Sequence, residues 1–315
     1  MNARALVVDV GGPLIGLVFV ATLFGMLIGP QFFAPANLDL LARQTAIVCT
    51  AALGMTMVIV SGGIDLSVGS LVALSTVAIA LLLRSDVSPA AAALGGIGVA
   101  AVCGAISGAL ITQLRVVPFI VTLGMMILVR GAAKGLADER RIEAPATWLN
   151  DLLRALGRGE SGIVPAGIWL LAGLALVVAF TLRYTRFGRH LFAIGSNERT
   201  ARLCGVPVTR VKVLVYTTAA ALAGVAGVLQ FSRLSVGDPT VANGLELAVI
   251  AAVIIGGGSL LGGRGTVAGT ILGATTMAVI AIGCSQRGLP NWVQELVTGG
   301  IIVLAVALDR WRESS

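Results

Sequence analysis

The chain has 315 residues, of which 57% are hydrophobic and only 12% charged, and its mean hydropathy is +0.97. Soluble domains carry about a quarter charged residues, so this composition excludes one and makes the bilayer the natural solvent. The net charge of +7 does not point to nucleic acid, because the basic residues fall in loops between apolar runs and form no long cationic face.

A spanning helix takes roughly 20 mostly apolar residues, since the hydrocarbon is about 30 Å thick and each residue rises about 1.5 Å. In chain order such stretches lie at about 11–30, 41–61, 66–83, 90–113, 117–136, 164–182, 212–231, 245–262, 266–284 and 291–308. They predict an all-α polytopic membrane bundle of about ten helices, with residues 1–315 forming a single domain. The run 170–180 is continuously apolar, whereas a barrel strand alternates over about ten residues. The 41 glycines fit membrane helices whose backbones approach closely. Arg4 before an apolar run and Ala34-Pro35-Ala36 loosely imitate a signal peptide and its cleavage site. That run is too long for a signal core and Asp9 spoils the positive leader, so it is read as the first spanning helix.

Charge orients the spans. Residues 183–212 hold Arg183, Arg186, Arg189, Arg199, Arg202, Arg210 and Lys212 against the single acid Glu198, and positive loops stay in the cytoplasm. With ten spans both termini are then inside, in agreement with Arg310 and Arg312 after the last helix, and Arg115 and Arg264 fall on cytoplasmic turns. The loop at about 137–163 mixes Arg140, Arg141, Arg154 and Arg158 with Asp138, Glu139, Glu143, Asp151 and Glu160, a parity that places it outside. Two glycine-serine segments, 62–70 and 256–265, separate apolar helices and give a faint sign of internal repetition.

Catalytic chemistry is absent from the sequence. Residues 257–264 come nearest to a phosphate loop but lack its lysine followed by Ser or Thr. A single histidine, His190, supports neither a metal site nor a triad. Cys49, Cys103, Cys204 and Cys284 are widely spaced and read as bystander thiols. Asp65, Arg130, Lys134, Glu246 and Glu295 lie in or near apolar segments. A charge at mid-membrane costs roughly 2.5 to 3.5 kcal/mol, so each is a functional position or an interface anchor. Arg130 and Lys134, one turn apart, are expected to snorkel to the interface.

Within the basic loop, residues 195–207 read as a short helix: Ser196 or Asn197 caps its start, Glu198 complements its dipole, Gly205 supplies a left-handed residue and Pro207 stops it. About two turns are marginal alone, so the element must pack against something. It is either a surface linker or a coupling element that passes a partner's movement into the membrane.

The segment Gly62-Gly63-Ile64-Asp65-Leu66-Ser67-Val68-Gly69-Ser70 resembles the signature of the permease subunits of bacterial ABC importers of the ribose, xylose and galactose type. Nearly the whole chain is similar to that family, through residues 118–124, 188–197, 202–206, 246–257 and 262–266 in the family's order. Thr200 stands where the family more often has alanine, and Cys204 where it often has serine. The resemblance implies a pair of permeases in the bacterial inner membrane, working with two cytoplasmic ABC ATPases and a periplasmic sugar-binding protein. ATP and Mg then bind the ATPase, and this chain needs no cofactor and is not itself an enzyme. It further implies that Gly195, Asn197, Glu198, Ala201, Arg202, Gly205 and Val206 couple to the ATPase.

Asp65, Ser67, Thr122 and Glu246 are the candidates for the translocation pathway or its gate. Asp65 either caps the helix after it or meets the sugar, and Glu246 either caps a helix start or lines an outer gate. Trp148 is a candidate anchor for the binding protein. Related permeases carry branched-chain amino acids or nucleosides. An ion-coupled transporter, the rival from another class, wants more buried acids or histidines at mid-membrane than this chain offers.

Overall fold

The computed structural model describes residues 3–154 and 164–314. In chain order the helices among them are α1 (Ala3–Ile28), α2 (Pro35–Val60), α3 (Val68–Arg84), α4 (Pro89–Leu114), α5 (Pro118–Leu136), α6 (Ala166–Tyr184), α7 (Arg186–Ser196), α8 (Glu198–Leu203), α9 (Val208–Leu234), α10 (Leu245–Ile255), α11 (Val267–Gln286) and α12 (Asn291–Ser314). Single turns of 3-10 helix lie at Pro30–Phe33 and Trp148–Asp151. The strands β1 (Ile142–Glu143) and β2 (Val236–Gly237) pair antiparallel, with Ile142 opposite Gly237.

Proline opens α2, α4 and α5, where its missing amide is an orphan in any case and its fixed φ suits the helix. This moves the start of α2 ahead of the expected 41. The polar residues there are satisfied locally, Asn37 by the Phe32 carbonyl at 2.6 Å and Asp39 by Arg43 one turn on. Among the described residues seven helices, α1, α2, α4, α5, α6, α9 and α11, are long and apolar enough to cross a membrane. The span expected over 245–262 is cut short at Ile255, because the Gly257 and Gly258 amides fold back onto the carbonyls of Ile254 and Val253 and Gly257 is left-handed at φ +86°. Residues 256–262 are apolar enough to count toward a span but form a turn.

Burial sorts the helices. In α2, 83% of the apolar window is buried against 11% in α1, so α2 is the axis of the bundle and α1 part of its rim. Phe19, Met26, Val102, Leu176 and Phe180 are exposed, an apolar outer surface of the kind lipid covers. Inside, small residues set the spacing: a methyl on Gly104 of α4 would overlap the Tyr216 carbonyl of α9. Buried hydroxyls cross-link the core, Thr56 to Thr270 at 2.7 Å between α2 and α11, and Ser75 to the Gly224 carbonyl at 3.1 Å between α3 and α9.

Two opposite ends follow from these contacts. Arg115, after α4, lines one cleft with Glu198, Arg202 and Lys212, and Gly263 donates to the Val60 carbonyl at the end of α2. The 27 residues of α9 then run about 40 Å, at about 1.5 Å per residue, to the β1–β2 ladder at the other end. Of the mixed-charge loop 137–163, Arg158 and Glu160 lie outside the described residues.

Candidate functional site

The basic loop forms two helices. The expected one is α8, where Asn197 Oδ1 accepts from the Thr200 amide at 2.9 Å and Gly205 is left-handed at φ +82°. The Gly205 and Val206 amides close its end on the carbonyls of Arg202 and Ala201, at 3.1 and 3.0 Å. The other is α7, capped by Thr185, whose hydroxyl accepts from the Gly188 amide at 3.1 Å. Leu191, Ile194 and Ala201 bury one side, while Arg199, Arg202, Leu203 and Cys204 are exposed on the other. Glu198 accepts from Lys212 of α9 at 2.6 Å and from Arg202 at 3.0 Å. Partial burial opposes its ionisation, but the hydrogen bonds and charges of Lys212 and Arg202 outweigh this and hold the carboxyl below its ordinary value.

The same pair of helices reaches the core through one glycine. A methyl on Gly195 would overlap the Val60 carbonyl oxygen and lie 2.5 Å from the Gly263 nitrogen. Gly263 itself donates to Val60 at 2.9 Å, and a methyl on Gly262 would lie 2.9 Å from the Gly62 Cα. The two glycine-serine segments of the sequence therefore meet each other, and the end of α7 is wedged against both.

The pathway candidates gather around the start of α3. Asp65 is 1% exposed, and its Oδ1 accepts from the amide and the hydroxyl of Ser67 at 2.8 and 2.6 Å. It thus makes an Asx turn that ends one residue before the helix, not a cap of the helix itself. Thr122 of α5 donates to the Ile64 carbonyl at 3.1 Å. Glu246, in the first turn of α10, lays Oε2 over Gly69, where a methyl would overlap it. Asp65 Oδ2, Ser70 Oγ and Glu246 Oε2 are buried without hydrogen-bond partners. Sequence reasoning missed Ser70, and also Tyr216, whose buried hydroxyl covers Gly63. A lone tyrosine in an apolar run gives no signal of this.

Arg130 and Lys134 part company. Lys134 is exposed, but Arg130 turns inward and its Nη1 donates to the carbonyls of Pro239 and Val241, at 3.1 and 2.7 Å. The expected interface anchor is instead a tie within the protein. Trp148 is exposed on its 3-10 turn, after a capping box made by Thr147 and Asn150. All four cysteines are free thiols.

A rim of exposed apolar helices, a core interrupted by two glycine segments and a capped helix pair wedged against both make up a multi-pass membrane protein. Residues 37–306 match the family described as branched-chain amino acid transport system / permease component, and the chain belongs to that family. It is 42% identical to the ribose import permease protein of Bacillus subtilis (strain 168), over 95% of this chain and 92% of that one. With the ribose import permease protein of Escherichia coli (strain K12) it shares 36% identity over 91% and 89% of the two chains. With the fructose import permease protein of Rhizobium meliloti it shares 34% over 95% and 84%. No solved structure matches the chain.

Proposed function

We propose that this chain is the membrane subunit of an ATP-driven importer that carries a monosaccharide inward. It works as one of a pair of permeases, receives sugar from a periplasmic binding protein and is driven by a cytoplasmic ABC ATPase that holds the ATP and Mg. Residues 1–315 act as one permease domain of about ten spans, with both termini and the loop 183–212 inside and the loop 137–163 outside. The observation that carries this reading is the seating of Gly195 against Val60 and Gly263. A partner that grips the exposed face of α8 moves α7 with it, and α7 has no slack against either helix break, so the movement reaches Asp65, Ser67, Thr122 and Glu246. The sugar class is supported by the ribose and fructose import permeases to which the chain is similar along most of its length.

The test is uptake of labelled ribose into proteoliposomes that hold the chain with its ATPase and binding protein. Uptake is expected to require ATP and to resist excess leucine. Uptake without the hydrolase would overturn the ATP-driven reading, and uptake of leucine in place of sugar would move the chain to the amino-acid carriers its family description names. Cys204 is exposed at the end of α8, so an impermeant maleimide is expected to label it only from the cytoplasmic side.

A further inference from the structure

After α9 ends at Leu234, the chain does not pass directly into α10. It turns back along α3. Gly237 lies against Val77 and Ala80, the Asp238 amide donates to Thr76 Oγ1 at 3.2 Å, and the Ala242 carbonyl and Glu246 Oε2 both rest on Gly69. Between Ala80 and Gly69 the segment thus retraces about 16 Å of helix, roughly half of a 30 Å hydrocarbon layer. Backbone that is neither helix nor sheet is tolerated at such depth only where protein groups satisfy it. Arg130 does this for Pro239 and Val241, both on one guanidinium nitrogen. Ala242, whose carbonyl seals on Gly69, is held at φ +60°, a strained conformation for a residue with a Cβ.

We propose that Arg130 is a positioning residue for transport: it holds residues 237–242 against α3 so that Glu246 closes on Gly69, and release of this contact opens the pathway. The inference rests on the permease reading above and names the closure within that site. Water or sugar hydroxyls can replace a guanidinium at two carbonyls, so the contact is reversible in a way that an apolar seal is not.

The test uses the complete transporter in proteoliposomes, with Cys204→Ser to remove the exposed thiol and Val241→Cys as a reporter for an impermeant maleimide. Arg130→Met is expected to raise labelling at position 241 about tenfold, because water takes over part of what the two charged hydrogen bonds contribute, while uptake falls by a similar factor. Hydrolysis of ATP without loaded binding protein should rise. Arg130→Lys keeps a charged nitrogen but on a shorter side chain, and should fall between. A control thiol, Ala100→Cys at the buried α4–α9 contact, should label no faster in Arg130→Met. Equal acceleration at 100 and 241 would mean general loosening and would overturn the proposal, as would unchanged labelling and uptake. Faster labelling at 241 reached only from the α8 side would refute the assigned orientation while leaving the latch supported.

Discussion

Beneath the broken helices, Gly62, Gly195 and Gly263 bring three backbones together with no side chain between them. Farther along α3, residues 237–242 are held by Arg130, Arg141 and Thr76. Both contacts join segments far apart in the chain, but they yield to force differently. A backbone contact has no rotamers to adjust and no water to admit, so it transmits displacement as a rigid joint. Each polar tie can be exchanged for water, so the upper contact can open and close without unfolding its helices. A transporter driven from one end needs the first property near its motor and the second near its gate.

The largest expected effect is at the rigid joint. Gly195→Leu should lower uptake about a hundredfold, because overpacking of a fixed contact costs up to about 3 kcal/mol, while membrane insertion and ATPase binding persist. Normal uptake by this variant, measured beside the ATPase rate, would show that α7 does not drive the helix breaks. Gly195→Ala should act in the same direction, more weakly.

Charge reversal at Glu198 comes next. Glu198→Lys faces Lys212 and Arg202 with a like charge and should lower uptake about tenfold, the scale of one disrupted charged contact. The pH dependence has a definite sign. Because the folded carboxyl lies below its ordinary value, its pairing contributes above the unfolded value and is lost as pH falls through the folded one. Limited proteolysis of the loop should therefore accelerate only on acidification below the usual carboxylate range, and Glu198→Gln should abolish that step. Glu198 is 42% exposed, so the stabilisation involved is small, about 0.5 kcal/mol.

Local chemistry made the α8 end legible and left the Arg130 end hidden. Asn197, Gly205 and Pro207 mark α8 because caps and stops act within a few residues of themselves. The Asp65 turn onto Ser67 is equally local. By contrast α7 mixes arginines with Leu191 and Ile194 and is too polar to register as a span. The partners of Arg130 lie 109 and 111 residues away, and nothing near Arg130 in the sequence marks them. Hydropathy also read 245–262 as one span, since it scores composition and is blind to the reversed amide bonds at Gly257 and Gly258.

Within the core, Thr56→Val removes the bridge to Thr270 between α2 and α11. Each hydroxyl has one proton, so one donates across the bridge while the other donates to its own carbonyl, Ala52 for Thr56 or Thr266 for Thr270. Once the bridge is lost Thr270 keeps the Thr266 carbonyl, so little is left unsatisfied. The expected cost is about 1 kcal/mol in thermal unfolding, with uptake nearly unchanged.

The smallest effect sharpens the comparison within the segment 237–242 itself. Arg130 and Arg141 both hold the segment 237–242, but the Arg141 side chain is 74% exposed where it meets Asp238 at 2.9 Å. An exposed ion pair contributes about 0.5 kcal/mol or less, and the Asp238 carboxylate keeps its bonds to the amide and hydroxyl of Thr240, at 2.8 and 2.6 Å, when Arg141 is removed. Arg141→Ala should therefore leave uptake and labelling at position 241 within about twofold of the parent, and what change remains should vanish in high salt. If Arg141→Ala opened the segment as fully as Arg130→Met, the closure would depend on an outer charge cluster, and the two carbonyls on Arg130 would have no special place in it.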